Sequence, residues 1–299
     1  MRIVDWKYRV GIFLFSFFAS SLLQAEPASF FRQGSSARSV AMGSVDTGIQ
    51  ARSESVFRNP SGLADLDQYH IEAGGFNALE SQFFMGNIGG KILGFGVGLG
   101  LMTVQSAGIN ENTRDSFTSR YSPTGRVESY TGTALVFGVG RKVGQKLSVG
   151  TNLVYLKESA FSASGQGMGL GFSLGYRLLK NLNVAAGIEN AVRPVMTWTG
   201  ASQVSEVVPS LYRLGLNGRW ESLSWNLESE NQSNRPMIIK GGLSFRVNSF
   251  LLLRGGIRDG EPSMGVGLEL KGLDLDMSYT NSRLDYLGSI YRFGMGYHF

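Results

Sequence analysis

The sequence predicts an all-β chain, a 14-stranded antiparallel transmembrane β-barrel with an N-terminal plug segment. Three observations predict it. Large apolar residues alternate with small or polar ones, with period two, through most of residues 69–299. A basic, then apolar, then small-residue leader precedes them. The connections between alternating segments are short at every second position and mostly longer at the others.

The leader comes first in the chain. "MRIVDWKYR" is short and basic, and "VGIFLFSFFASSLL" is a continuous apolar run of secretory h-region length. It is short for a membrane-spanning helix, and "LQA" offers a small residue before a cut. Residues 1–25 therefore read as a signal peptide, with the mature chain starting at Glu26. The chain has no Cys, which excludes a lipid-modified cysteine anchor, a disulfide framework and a thiolate metal site. Its net charge of +5 is scattered, so no nucleic-acid footprint is expected. Forty-one glycines against seven prolines are unusual for a globular α/β domain.

The alternating segments lie near 69–77, 80–89, 92–105, 126–140, 146–160, 166–178, 182–193, 208–220, 222–231, 236–247, 249–258, 262–271, 273–282 and 288–299. In the third, Phe95, Val97, Leu99 and Leu101 share one face, and Gly96, Gly98 and Gly100 the other. In the thirteenth, Leu273, Leu275, Met277 and Tyr279 oppose Asp274, Asp276 and Ser278. Such strands suit a sandwich with the apolar face inward or a barrel with that face toward lipid. The leader, segments of about ten residues and the unequal connections favour the barrel. Both termini and the short turns are then periplasmic, and the longer loops external. Tyr176, Trp220, Trp225, Phe245, Tyr297 and Phe299 are expected in one interfacial girdle. Tyr130, Tyr155, Trp198 and Tyr279 are expected in the other.

The last segment, "SIYRFGMGYHF", places Tyr291, Phe293, Met295, Tyr297 and Phe299 on one face. A closing strand needs that row, because it must pair with the first strand and remove both sheet edges.

Residues 26–68 lack the alternation and are too few for a separate domain. Phe30, Phe31, Val40, Met42, Ile49, Val56, Phe57 and Leu63 make them too apolar for a disordered tail. The place to bury them is the lumen of the barrel formed by 69–299, as a plug. Asn59-Pro60 and Gly62 mark a turn within it. The glycine-rich inner faces of strands three to six either admit the plug at close range or simply ease strand curvature.

The lumen-facing parity becomes charged in the later strands, with Arg213, Arg219, Glu228, Lys240, Arg246, Arg254, Glu269, Asp274, Asp276 and Arg292. Mixed signs on neighbouring strands pair across a sheet, which gives a salt-bridged wall; a polar pathway or a head-group site is the alternative. Catalysis is not expected. The two histidines, His70 and His298, have no recognisable nucleophile partner, and the GxG repeats lie inside strands. No ligand cluster supports a metal, and no cofactor is expected.

"GSSARSVAMGSVDTGIQARSESVFRNPSGLA" resembles the N-terminal signature of the FadL-like outer-membrane superfamily, especially its PorV/PorQ and UPF0164-type branches. The matching positions are Ala37, Arg38, Ala41, Met42 and Gly43, then Asn59, Pro60, Ser61, Gly62, Leu63 and Ala64, with Ser61 replacing the commoner Ala. The resemblance implies a plugged fourteen-stranded barrel that passes fatty acids or other small hydrophobic compounds through a lateral opening. The terminal "YHF", through Tyr297 and Phe299, is similar to the signal read by the barrel-insertion machinery. The expected place is the outer membrane of a Gram-negative-type bacterium, with outer-membrane lipid around the barrel. Phe30, Phe31, Met42, Phe57, Asn59 and Pro60 are the expected ligand-pathway and plug residues. Val195, Met196 and Trp198, in the loop 194–207, are the expected external capture residues. A PorV-like role in protein secretion or surface assembly, with a secreted protein as partner, is the alternative. The polar loop at 107–125 suits it.

Overall fold

A computed structural model describes residues 26–48, 51–78, 80–114, 121–200, 204–233, 235–281 and 288–299. The leader at 1–25 lies outside the described residues, as does the tip of the segment 106–125. The strands are β1 His70–Ala78, β2 Ser81–Ile92, β3 Phe95–Arg114, β4 Tyr121–Val143, β5 Leu147–Ala160, β6 Ala163–Leu179 and β7 Leu182–Val192. They continue with β8 Val195–Thr199, β9 Val204–Val207, β10 Leu211–Trp220, β11 Leu223–Gln232 and β12 Ile238–Arg246. The last are β13 Leu251–Arg258, β14 Glu261–Leu270, β15 Leu273–Asn281 and β16 Ser289–His298.

Fourteen of them form a closed antiparallel barrel. Each pairs with its neighbour in sequence, β7 pairs with β10, and β16 pairs with β1. The small strands β8 and β9 form a hairpin attached to β6. Closure gives each barrel strand a ladder on both sides where the fourteen overlap, which a hydrocarbon environment demands.

The closing seam explains the C-terminal alternation. Gly294 and Gly296 stand opposite Gly74 and Glu72 on the inner face, while Phe293, Met295, Tyr297 and Phe299 project outward. The pairing runs to the last residue, where Phe299 and Tyr69 exchange two backbone hydrogen bonds of 3.0 Å. Their rings stack at 5.8 Å, and Tyr297 stacks on Phe299 at 5.7 Å.

The outer surface is an apolar belt. Phe84, Leu99, Phe137, Leu153, Phe172, Leu214, Leu243, Leu253 and Phe293 are all exposed. A continuous belt of this kind fits lipid and would be untenable in water.

At the end carrying residues 70 and 298, the connections are two to four residues long. Leu93–Gly94 and Lys271–Gly272 have positive φ at both residues, as two-residue I′ hairpins require. The first of these turns lies beyond the expected Gly90-Lys91, because β2 runs on to Ile92. At the far end three connections are equally short, 79–80, 161–162 and 259–260. Length there goes instead into β3 and β4, whose ladder continues past Ser106 and Tyr130 to Arg114 and Tyr121 with two register shifts.

Residues 26–48 and 51–66 fold inside the barrel, with short helical turns at Ser29–Arg32, Ala37–Ala41, Ser55–Arg58 and Pro60–Asp65; Ile49 lies outside the described residues. Glycines on the wall set how closely they approach. A Cβ on Gly96 would meet the Leu63 carbonyl at 1.8 Å, and one on Gly150 the Ser61 nitrogen at 2.2 Å. Gly242 and Gly256 receive Met42 and Gly43 in the same way, at 2.3 and 2.1 Å. Of the two readings of the wall glycines, close approach is the one their surroundings require.

Candidate functional site

The lumen has two chemically different halves. Against β1–β6 lies an apolar cluster of Phe30, Phe31, Val56, Phe57, Phe76, Met85, Met102, Val104, Val136, Val154 and Leu156. Phe57 packs where Gly100 has no side chain, and Phe30 does so at Gly132. Phe31 meets Phe57 edge-on at 6.4 Å. Barrel interiors are normally polar, so an apolar half-lumen is a specific feature of this chain.

Met196 and Val208 complete the cluster at the far end. Met196 belongs to β8, so the expected capture loop is a β-hairpin with that side chain fully buried. Val195 is exposed. Trp198 lies over Gly165 on the inner side, packs against the cluster and donates from Nε1 to Glu206 Oε2 at 2.9 Å. Tyr130 also points inward and donates to Glu158. Neither Trp198 nor Tyr130 therefore joins the lipid-facing girdle.

The hairpin has a topological cause. Between Leu170–Val192 and Phe172–Ile188 the β6–β7 register shifts, with Asn190 at φ 55°. Asn190 Nδ2 then donates to the Pro209 carbonyl at 3.1 Å. Above this bulge β6 loses its partner, and β8 takes the place, with Gln166 opposite Thr197.

The other half of the lumen is ionic. Arg213 donates to Glu189 at 2.7 Å and to Glu230 at 2.8 Å, and Lys240 bridges Glu228 and Glu230 at 2.9 and 2.8 Å. The second oxygen of Glu228 accepts from the Asp46 and Thr47 nitrogens and the Thr47 hydroxyl. Arg58 joins the two halves. It donates to Glu189 and to the Phe31 carbonyl, with its guanidinium 4.3 Å over the Phe31 ring.

Nearer the end carrying the barrel termini, Arg38 and Arg254 share Asp276, Arg52 donates to Asp274 at 2.5 Å, and Arg246 donates to Glu269 at 2.6 Å. These pairs border a cavity of about 360 Å³ that Met42 and Arg219 also line. Met42 thus does not join Phe30, Phe31 and Phe57. Asn59 and Pro60 sit in a turn. Asn59 donates to the Thr47 carbonyl at 2.9 Å and accepts from Ser61 at 2.7 Å, and the Pro60 carbonyl faces Gly140.

Glu54 is fully buried on the plug, with Arg52 Nε 3.8 Å away. Burial, with Glu72 adding to it, pushes its pKa up to about 7 against the pull of Arg52 and Arg38. Among the described residues, no group of three His, Asp or Glu is placed to hold a metal ion.

The inner-facing apolar residues of β2–β5, and Arg58 and Glu189 in the ionic half, were not singled out from the sequence. A signal for the former exists: "LMTV", "ALVF" and "LVYL" are apolar at both parities, which means both faces are buried or lipid-bound.

No protein-family model matches the chain, and no curated protein matches it in sequence. Solved structures do match in fold. The toluene transporter TbuX of Ralstonia pickettii aligns with TM-score 0.66 at 12% identity, covering 89% of this chain and 98% of that one. The Pseudomonas putida toluene transporter TodX aligns with TM-score 0.65 at 11% identity, over 89% and 99% of the two chains. A Pseudomonas aeruginosa FadL homologue aligns with TM-score 0.56 at 10% identity, over 88% and 98%. The chain therefore has the fold of FadL-type outer-membrane barrels.

Proposed function

We propose that this protein is an outer-membrane channel for small hydrophobic compounds, with residues 26–68 as a movable plug. The apolar half-lumen beneath β8 carries the reading. Water and ions gain nothing from a path lined by Phe30, Phe57, Met102, Leu156 and Met196, whereas an apolar molecule does. The likeness in fold to two toluene transporters supports the same class of cargo. The β8–β9 hairpin faces outside in this reading. A compound is captured near Val195 and Trp198, passes Met196, and enters the cluster when Phe30 and Phe31 give way. Fatty acids are one cargo within that class.

The test is influx of a fluorescent apolar naphthylamine into cells whose outer membrane carries the barrel. Influx is expected to rise several-fold over barrel-free cells, and Trp198→Ala is expected to lower that gain about threefold. Equal influx with and without the barrel would sink the reading.

A protein-docking role in secretion is the second reading. The β3–β4 ladder favours it, since the two strands extend past their neighbours and present exposed polar residues on both faces.

A further inference from the structure

Charge is unevenly placed on the two rims of the barrel. At the far end the short turns, with one flanking residue on each side, carry one cation, Arg258, against Glu80, Asp259 and Glu261. At the end carrying the barrel termini the balance is reversed on three hairpins that are neighbours around the rim, β4–β5, β6–β7 and β10–β11. Arg141, Lys142 and Lys146 stand on the first, Arg177 and Lys180 on the second and Arg219 on the third, and all six are exposed. Along 141–147, 176–182 and 218–223 the one carboxylate is Glu221.

The three hairpin ends are joined edge to edge. The Arg177 nitrogen donates to the Lys146 carbonyl at 2.8 Å, which ties the first to the second. The Arg219 nitrogen donates to the Asn181 carbonyl at 3.0 Å, and Asn181 Nδ2 donates back to the Arg219 carbonyl at 3.1 Å, which ties the second to the third. Asp65, from the plug, lies 2.8 Å from Lys142 and 3.7 Å from Arg177. Arg141, Lys146, Lys180 and Arg219 have no carboxylate within 4.0 Å among the described residues. Salt screening lets exposed like charges coexist in water, but it gives no reason for gathering them on one sector.

The same sector borders the apolar belt. Val143, Tyr176, Leu178, Leu179 and Trp220 are exposed there, Trp220 at 72%. Arg141 belongs to the lipid-facing row of β4, because Leu135, Phe137 and Val143 share its parity and are exposed. Its guanidinium lies 4.8 Å over the Phe95 ring. Tyr and Trp seat at headgroup level, so cations beside them stand at the depth of lipid phosphates. A soluble acidic polymer would meet the cations and leave the apolar row uncovered. A lipid covers both, with phosphate oxygens accepting from the guanidinium and ammonium groups and acyl chains lying along Tyr176, Leu178 and Trp220.

We propose that this sector, centred on Lys146, Arg177 and Lys180, binds the phosphate headgroup of an anionic phospholipid in the periplasmic leaflet. The inference is separate from the channel reading and uses only the place of the barrel in the outer membrane.

The experiment reconstitutes the full barrel in phosphatidylcholine vesicles that hold a minor share of brominated phosphatidylglycerol or, in parallel, of brominated phosphatidylcholine. Bromine quenches Trp220 and Trp225, which lie beside the patch; Trp198 faces the lumen and adds a constant background. Phosphatidylglycerol is expected to be preferred at least about fivefold in about 0.1 M salt. The preference is expected to fall toward one in about 1 M salt, where the Debye length shrinks from about 10 Å to about 3 Å. Arg141→Gln, Lys146→Gln and Lys180→Gln combined are expected to remove it. Lys271→Gln, at an exposed cation on the β14–β15 turn, is expected to leave it unchanged. Heat-modifiable gel mobility reads folding, and the salt series on the unsubstituted protein decides if the triple variant does not fold. Equal quenching by the two lipids, a preference indifferent to salt, or one that the folded triple variant retains overturns the site. Equal quenching together with patch-dependent retention on purified murein also overturns it, and assigns the cations to an acidic cell-wall polymer.

Discussion

Single residues decide how the plug sits. Gly150 is the clearest wall position, because the atoms it faces are the Ser61 nitrogen and the Pro60 carbonyl group, which are backbone and cannot rotate away. Gly150→Ala is expected to leave barrel closure intact and to displace residues 60–65, at a cost of about 1–3 kcal/mol. Protease cleavage within the plug reads that displacement, and a protection pattern equal to wild type would contradict it. Glu54 makes the plug sensitive to pH. Its folded pKa of about 7 exceeds the ordinary carboxylate value, so the folded plug binds the extra proton between those two limits. Its contribution to stability is therefore full below about pH 4.5, falls as pH rises and is lost by about pH 7. Hydrogen exchange over residues 51–58 is expected to quicken from pH 5 to pH 8, after correction for intrinsic rates. Glu54→Gln is expected to flatten that trend; an unchanged trend in the variant would move the titration to another group.

Elements differ in how far the sequence reveals them, and the physical reason is the number of environments each one meets. β15 and the first half of β3, Phe95–Leu101, were legible because lipid on one side and a small or charged lumen on the other impose strict alternation. The fourteen barrel strands were readable in this way, with ends displaced by a few residues except at the far end of β3 and β4, where the ladder runs to Arg114 and Tyr121 beyond the expected ends at 105 and 126. β8 and β9 were not. They are five and four residues long, and β8 has a cluster on one face and solvent on the other. "VMTWT" is as compatible with a loop as with a strand, and only the β6–β7 register shift makes a strand necessary. The plug turns were hidden for a similar reason. The "AMG" stretch reads as small residues, but its role appears only once Gly242, Gly256 and Gly265 are seen to receive Met42, Gly43 and Ala41. The inner row Arg213, Glu228, Lys240 and Arg254 could be chosen by parity alone. Its partner Glu189 follows the same rule, since Asn183, Ala185, Gly187 and Glu189 share the inner parity of β7 and the bulge at Asn190 comes after them.

At the scale of the whole molecule the question is what closes the lumen. Eight strands leave an interior that side chains fill, whereas sixteen to eighteen leave an aqueous channel. Fourteen strands lie between these limits, and here many inner positions are glycine, so the wall alone leaves the lumen wide. The closure comes from residues 26–48 and 51–66, which are mostly buried and are tied to the wall at Glu158, Glu228, Ser173 and Asp274. Deleting residues 27–50 removes Phe30, Phe31, Met42 and the Glu228 contacts, while β1–β16 and their ladders remain. The shortened chain is expected to insert as a barrel and to raise single-channel conductance in planar bilayers at least tenfold over the full chain. Its naphthylamine influx is expected to lose dependence on Trp198, because the route past Met196 is no longer the only one. A closed barrel after the deletion would mean that β8–β9 and the remaining turns at 55–65 seal the lumen without the first half of the plug. Movement of Phe30 and Phe31 would then not be the gate, and the route for cargo would have to be sought along the Pro60–Asp65 turn.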